Sequence, residues 1–128
     1  MSRILVVDDN EGILLLVQGV AQRLGLEVTT LSSTVQFKAT FDRLQPDMVV
    51  LDMVMPNMDG IEIIQWLCDV GYTGRLIIMS GYADYDRIGK VLARADGHMS
   101  VSSLAKPFRL AALRALLSSE PEREAEPA

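Results

Sequence analysis

A chain of 128 residues is sized for one domain, and such a domain buries roughly two-thirds of the surface its unfolded chain exposes. With 49% hydrophobic and 23% charged residues it reads as globular, and a net charge of −5 argues against generic binding of nucleic acid or an anionic membrane. The apolar runs are strand-sized, well short of the roughly 20 residues of a membrane span. Met1-Ser2-Arg3 leads directly into a strand without a signal-peptide pattern, and the single Cys68 fits a reducing cytoplasm.

Ile4-Leu5-Val6-Val7 reads as the first strand, ending in Asp8-Asp9. Asn10 is a good N-cap, and Glu11 suits the positive end of the helix that follows. That helix runs to about Leu24 and closes near Gly25; its 100° periodicity groups Ile13, Leu16, Val17, Val20 and Leu24 on one face. Leu15 falls on the opposite side and is the first candidate for a partner contact. Leu26 to Leu31 forms a second, less apolar strand suited to a sheet edge. Ser32-Ser33-Thr34 offers caps for a helix through Leu44 whose Phe37, Phe41 and Leu44 face inward.

Met48 to Leu51 is a short, wholly apolar run that leads into Asp52 and stops at a Pro/Asn/Asp/Gly cluster, the pattern of a strand buried on both faces in a parallel sheet. A helix from near Asp59 turns Ile63, Ile64, Leu67 and Val70 to the sheet, with Trp66 at its margin and Cys68 as a half-buried small hydrophobe. After a turn at Gly71 to Gly74, Arg75 opens the strand Leu76-Ile77-Ile78-Met79, ending at Ser80-Gly81. A weaker helix around Ile88, Val91 and Leu92, interrupted by Gly89, spans Tyr82 to Gly97. Met99 to Ala105 is a polar fifth strand ending in Lys106-Pro107, and Phe108 to Leu117 the last helix, with Leu110, Leu113 and Leu117 inward. Residues 119–128 are rich in Glu, Pro and Ala and read as a disordered tail or linker. Strands alternating with helices predict an α/β domain, a five-stranded parallel sheet with helices on both faces.

Four strands thus end in polar residues: Asp8 and Asp9, Asp52, Ser80 and Lys106. In an open α/β sheet those ends line the crevice where ligands bind. Three carboxylates gathered there repel one another, and a hard divalent cation such as Mg²⁺ relieves the repulsion. Lys106 adds a mobile positive charge and Ser80 a hydroxyl donor. Together they describe a phosphoryl-transfer site with Asp52 as nucleophile.

Asp8-Asp9, the run Asp52-Met53-Val54-Met55-Pro56-Asn57-Met58-Asp59-Gly60, Ser80-Gly81 and Lys106-Pro107-Phe108 resemble the receiver domain of bacterial two-component response regulators over about residues 2–118. The resemblance implies a flavodoxin-like, doubly wound sheet in the order 2-1-3-4-5, with residues 1–118 as the receiver. It implies that Asp52 accepts a phosphoryl group from a phosphohistidine on a histidine kinase or phosphotransfer protein. Asp9, Asp52 and the Val54 carbonyl would bind Mg²⁺, and Asp8 would act largely through a metal-bound water. Ser80 and Lys106 would hold phosphoryl oxygens. Such a domain is a cytoplasmic switch for a downstream protein or output domain rather than an enzyme with a turnover substrate, and needs neither nucleic acid nor membrane.

The chain also departs from the family pattern. The aromatic switch residue expected three positions before the lysine is Ser103, and the interval from Ser80 to Lys106 is lengthened around Ala93 to Val101. Tyr82 and Tyr85 lie near enough in sequence to substitute. The positions that tune hydrolysis carry Val54 and Tyr82, neither able to position water, which predicts slow self-dephosphorylation. His98, the only histidine, falls in the lengthened segment, where a surface or loop position is expected. Met53, Met55 and Met58 edge the site, where they would be open to a partner.

Three alternatives follow. The lengthened segment resembles that of receivers attached to cyclic-dinucleotide phosphodiesterase domains, so the chain would be an N-terminal module of a longer regulator. An Asp-nucleophile phosphatase calls for an acid two residues after the nucleophile, where Val54 stands. A flavin module expects a Ser/Thr/Gly phosphate loop after the first strand, where Asp8-Asp9 would repel the phosphate.

Overall fold

The computed structural model describes residues 2–53, 60–81, 89–90, 93–94 and 97–118. Five strands, β1 (Arg3–Val7), β2 (Glu27–Leu31), β3 (Met48–Asp52), β4 (Arg75–Ser80) and β5 (Ser100–Ala105), form one sheet in the order β2-β1-β3-β4-β5. All neighbouring pairs are parallel. Helices α1 (Glu11–Arg23), α2 (Phe37–Leu44), α3 (Gly60–Asp69) and α4 (Leu110–Ser118) pack around it, and Gly89, Lys90, Ala93 and Arg94 are also helical.

Alternation along each strand builds two cores. Leu5, Val7, Val49, Leu51, Leu76 and Ile78 face Phe37, Phe41, Ile63, Ile64, Leu67 and Ala93. Ile4, Val6, Val50, Ile77 and Met79 face Leu14, Val17, Ala21, Leu113 and Leu117 across the other side. Every residue of β3 and β4 is buried, as central strands sandwiched between helices require, whereas β2 is half-buried at one edge. The strand order reverses between β1 and β3, which opens a crevice beyond their carboxyl ends.

Asn10 caps α1 as expected, its side chain accepting the Ile13 amide at 3.1 Å, and Gly25 follows the helix with φ +81°. Four assignments, three of them inward-facing, need correction. Leu16 is 36% exposed, because the cap sets a phase in which Leu14, Val17 and the small Ala21 meet the sheet. Leu15, 69% exposed, points outward as read. Val70 is half exposed because α3 ends at Asp69 and the residue lies in the following turn. Leu110 is exposed as the first residue of α4, with Leu113 and Leu117 carrying the buried stripe. Met53, expected at the site's open rim, is 0% exposed, since it lies under α3 and the helical segment at residue 89.

The Ser32-Ser33-Thr34 run does not cap α2, which begins at Phe37 after Gln36 with no side-chain cap bond. Ser33 instead accepts the Val35 amide in a local turn. Trp66 is half-buried at the margin of the first core, meeting Phe37 and Phe41 edge-on. His98 is exposed, consistent with the sequence reading. The Ile88, Val91 and Leu92 stripe, Tyr82, Tyr85, Met55, Met58 and the segment 119–128 lie outside the described residues. Among the described residues no helix is long and apolar enough to cross a membrane.

Two polar groups anchor the end of the sheet opposite the crevice. Arg75 is buried and donates to the Leu116 carbonyl at 2.8 Å, tying β4 to α4. The Tyr72 hydroxyl donates to the Pro46 carbonyl at 2.9 Å. Burial, reinforced by the charge of Asp47, holds this hydroxyl well above the ordinary tyrosine pKa of 10. Below pH 10 folded and unfolded chains both carry the proton; above it the unfolded chain ionises first, so stability falls with rising pH. At pH 8, Tyr72→Phe should destabilise the protein by about 1 kcal/mol through the lost hydrogen bond. That difference should shrink or invert near pH 11, as the wild type loses up to about 1.4 kcal/mol per pH unit that the variant does not. Urea unfolding of both proteins at the two pH values measures it.

Candidate functional site: an acidic crevice closed by a lysine

β1 and β3 flank the point where the sheet order reverses, and each ends in a carboxylate. One carboxylate oxygen from each of Asp8, Asp9 and Asp52 can be chosen so that all lie within 4.8 Å of one another. Asp8 is fully buried and Asp52 5% exposed, whereas Asp9 opens to solvent. Water therefore screens little of the repulsion between the first two.

Lys106 supplies the counter-charge. Its ammonium donates to Asp8 Oδ2 at 2.8 Å and lies 3.5 Å from Asp52 Oδ2. Burial disfavours the charged amine, but the hydrogen bond to Asp8 and the charges of Asp52 and Asp8 outweigh it and raise the lysine pKa. The second oxygen of Asp8 accepts the Asn10 amide at 2.8 Å, so the residue that caps α1 also orients the buried acid. That second role was not visible in the sequence, where only the side chain of Asn10 carries a signal.

Ser80 closes β4, 2% exposed, one position beyond Met79, which stands opposite Asp52 in the pairing of β3 with β4. Its carbonyl accepts the Lys106 amide at 3.1 Å, which fixes the start of the cis Lys106–Pro107 turn beside it. Asp8, Asp9, Asp52, Ser80 and Lys106 thus share one rim of the sheet, as their order in the sequence predicts. Ser103 is half-buried in β5 opposite Ile78, in line with Val101 rather than at the acids. Val54 and Tyr82 lie outside the described residues. A cleft of about 930 Å³ among Phe41, Asp47, Tyr72, Arg75 and Leu117 is at the opposite end of the sheet and holds none of these groups.

A partly closed pocket of hard oxygen donors, one lysine and one buried hydroxyl is suited to a divalent cation and a phosphoryl group. By comparison with known proteins, the chain belongs to the response regulator receiver domain family, whose model matches residues 4–118. It is 33% identical over 113 residues to the sporulation initiation phosphotransferase F of Bacillus subtilis, covering 88% of each chain. It is 35% identical to the transcriptional regulatory protein TrcR of Mycobacterium tuberculosis, over 98% of this chain but 50% of that one. The chain therefore spans about half the length of that regulator. Among solved structures, the chemotaxis protein CheY4 of Vibrio cholerae matches with a TM-score of 0.78 at 24% identity, over 91% of this chain and 96% of that one. The BeF3-activated DrrB receiver domain matches at 0.74 and 26%, over 91% and 94%.

Lys106→Met should leave the buried Asp8 and the nearby Asp52 without their shared counter-charge. In metal-free buffer the expected loss is about 1–3 kcal/mol, below the full price of breaking a buried pair because the ammonium is one-quarter exposed. Adding Asp8→Asn to Lys106→Met should recover part of that loss. Urea denaturation of the two single variants and the double variant measures the coupling.

Proposed function

We propose that this receiver accepts a phosphoryl group on Asp52 from a phosphohistidine of a histidine kinase or phosphotransfer protein, and that the modified domain switches its contacts with a downstream protein or output domain. The observation that carries the reading is the Lys106 ammonium held between Asp8 and Asp52 at the carboxyl rim of the sheet. A carboxylate oxygen of Asp52 attacks phosphorus; the new P–O bond forms as the P–N bond to the donor imidazole breaks. Lys106 pairs with one phosphoryl oxygen and the Ser80 hydroxyl donates to another as negative charge redistributes over them.

Asp8, Asp9 and Asp52, joined by the Val54 carbonyl, are the groups that would hold Mg²⁺. When bound, the ion would supply the positive charge that three clustered carboxylates lack and that a phosphoryl group requires. The chain's work is to hold those oxygens together, to bury Asp8 and to keep Lys106 within reach of both acids. Asp52 catalyses only its own modification in this reading, so the domain is a switch rather than an enzyme. The exposed Leu15 and Leu16 on α1 are candidates for the donor's contact surface. Residues 1–118 form the receiver, and whether 119–128 leads to an output domain decides between a free-standing switch and a module of a longer cytoplasmic regulator.

Incubation with acetyl phosphate and Mg²⁺ should add one phosphoryl mass to the wild type and none to Asp52→Asn, read by intact mass. An adduct on the variant, or none on the wild type, rejects the assignment. Without Mg²⁺, or in Asp9→Asn, the adduct should form at least about tenfold more slowly, the loss of roughly 1.4 kcal/mol of transition-state stabilisation. With Val54 and Tyr82 unable to orient water, the adduct should decay slowly. Val54→Asn should shorten its lifetime on the order of tenfold, below the usual range for a positioned proton-transfer group. A phosphate-release assay measures both.

A further inference from the structure

Signal relay in this chain has to proceed without an aromatic side chain at position 103. The residue directly after the phosphoacceptor offers another route. Met53 is fully buried, and its backbone is held on two sides: its amide donates to the Met79 carbonyl at 3.0 Å, and its carbonyl accepts the Gly60 amide at 2.9 Å. Met79 immediately precedes Ser80, and Gly60 begins α3. Met53 is therefore bonded to the strand that carries the phosphoryl-binding hydroxyl and to the helix after the phosphoacceptor loop.

Its side chain spans two close approaches, at Gly60, where only glycine leaves room, and at Gly89, where a side chain would fit tightly. A Cβ at residue 60 would stand 2.7 Å from the Met53 Cα and 2.8 Å from its Sδ, closer than real side chains approach. A Cβ at residue 89 would stand 3.2 Å from the Met53 Cε, 3.1 Å from Ile78 Cδ1 and 3.2 Å from Ile64 Cδ1. Gly89, which looks like an interruption of its helix in the sequence, is thus the point where helical backbone closely approaches the tips of Met53, Ile78 and Ile64. No side chain cushions that contact, and close-packed interiors transmit displacement.

We propose that Met53 is the coupling side chain of this receiver: it links the state of Asp52 to the helical segment at Gly89 through direct packing, in place of an aromatic switch. The inference rests on the phosphoacceptor reading. When Ser80 closes on a phosphoryl oxygen, β4 carries Met79 with it, the hydrogen bond from Met53 follows, and the Met53 tip moves against the backbone at Gly89. The segment responds as a packed unit between two arrangements. Met53 touches no reacting atom and acts as a positioning residue.

The test compares backbone amide shifts of the full chain before and after beryllofluoride and Mg²⁺, beside intact mass after acetyl phosphate. In the wild type the amides of Gly89, Lys90, Ala93 and Arg94 should move together with those of Ser80 and Lys106. In Met53→Ala the adduct should still form and the Ser80 and Lys106 amides should still move, while the movement at residues 89–94 falls by more than half. Met53→Leu, of similar volume, should restore it. A full-sized response at residues 89–94 in folded Met53→Ala, or no response there in a phosphorylated wild type, overturns the coupling and leaves the phosphoacceptor reading intact. Absence of any adduct on the wild type overturns that reading and the coupling with it. Should Met53→Ala not fold, Gly89→Ala decides, because its methyl enters the same contact: a full response with the adduct present overturns the proposal, and a response cut by more than half supports it.

Discussion

A carboxylate with no exposure to water is tolerable only if its charge is matched by donors of fixed geometry. Asp8 meets that condition with one oxygen on the Asn10 amide and the other on the Lys106 ammonium, so its two partners lie two and 98 residues away in the chain. β1 and β5 are separated by β3 and β4, an interval of three strand spacings or about 14 Å, beyond the reach of one lysine side chain. The pair therefore requires both the chain after β1 and the turn at Lys106–Pro107 to lean over the centre of the rim. Much of the site's shape follows from that requirement. Ser80 fixes the turn through its carbonyl, and Asp52, at the end of the fully buried β3, comes within 3.5 Å of the same ammonium.

The sheet below supplies rigidity for this closure. β3 and β4 alternate large apolar residues between two cores, leaving Asp52 and Ser80 little freedom to move apart. Against this rigid centre, the acids are arranged so that their mutual repulsion is only partly answered by one lysine. Such an arrangement costs stability, since carboxylates that repel one another in the free protein are the groups a divalent cation would satisfy. β5, with Ser100, Ser102 and Ser103 and mostly half-buried positions, contributes less apolar burial than the central strands. Less burial there leaves that side of the sheet freer to change its packing than the centre.

Where the sequence was legible, one dominant force decided the outcome. Hydrophobic runs bounded by polar residues located β1, β3 and β4, strand-sized segments between helices located the less apolar β2 and the polar β5, and the polar residue ending four of the five marked the rim. Helix faces were less legible. Leu16 falls on the inward face by helical periodicity, yet α1 meets the sheet through Leu14, Val17 and Ala21, since a small residue permits close approach and the Asn10 cap fixes the phase. Val70 and Leu110 fit the helical period but fall at helix ends, where the period no longer predicts a neighbour. Arg75 carried no sign of burial, because its partner, the Leu116 carbonyl, is backbone at the far end of the chain.

The two glycines around Met53 illustrate the same limit more sharply. Propensity reads Gly60 as the close of a turn and Gly89 as a weak point in a helix. Neither reveals that the missing Cβ is what admits a third residue. A Cβ at 60 would collide with backbone, so the constraint there is rigid; at 89 it would meet only the tips of flexible side chains, so the contact is close but yielding. That difference gives Met53 a fixed end and a movable end. A side chain anchored beside Asp52 and yielding at its tip against a helical segment has the asymmetry that the proposed coupling needs, and it arises from which neighbours lack atoms rather than from any residue a motif would mark.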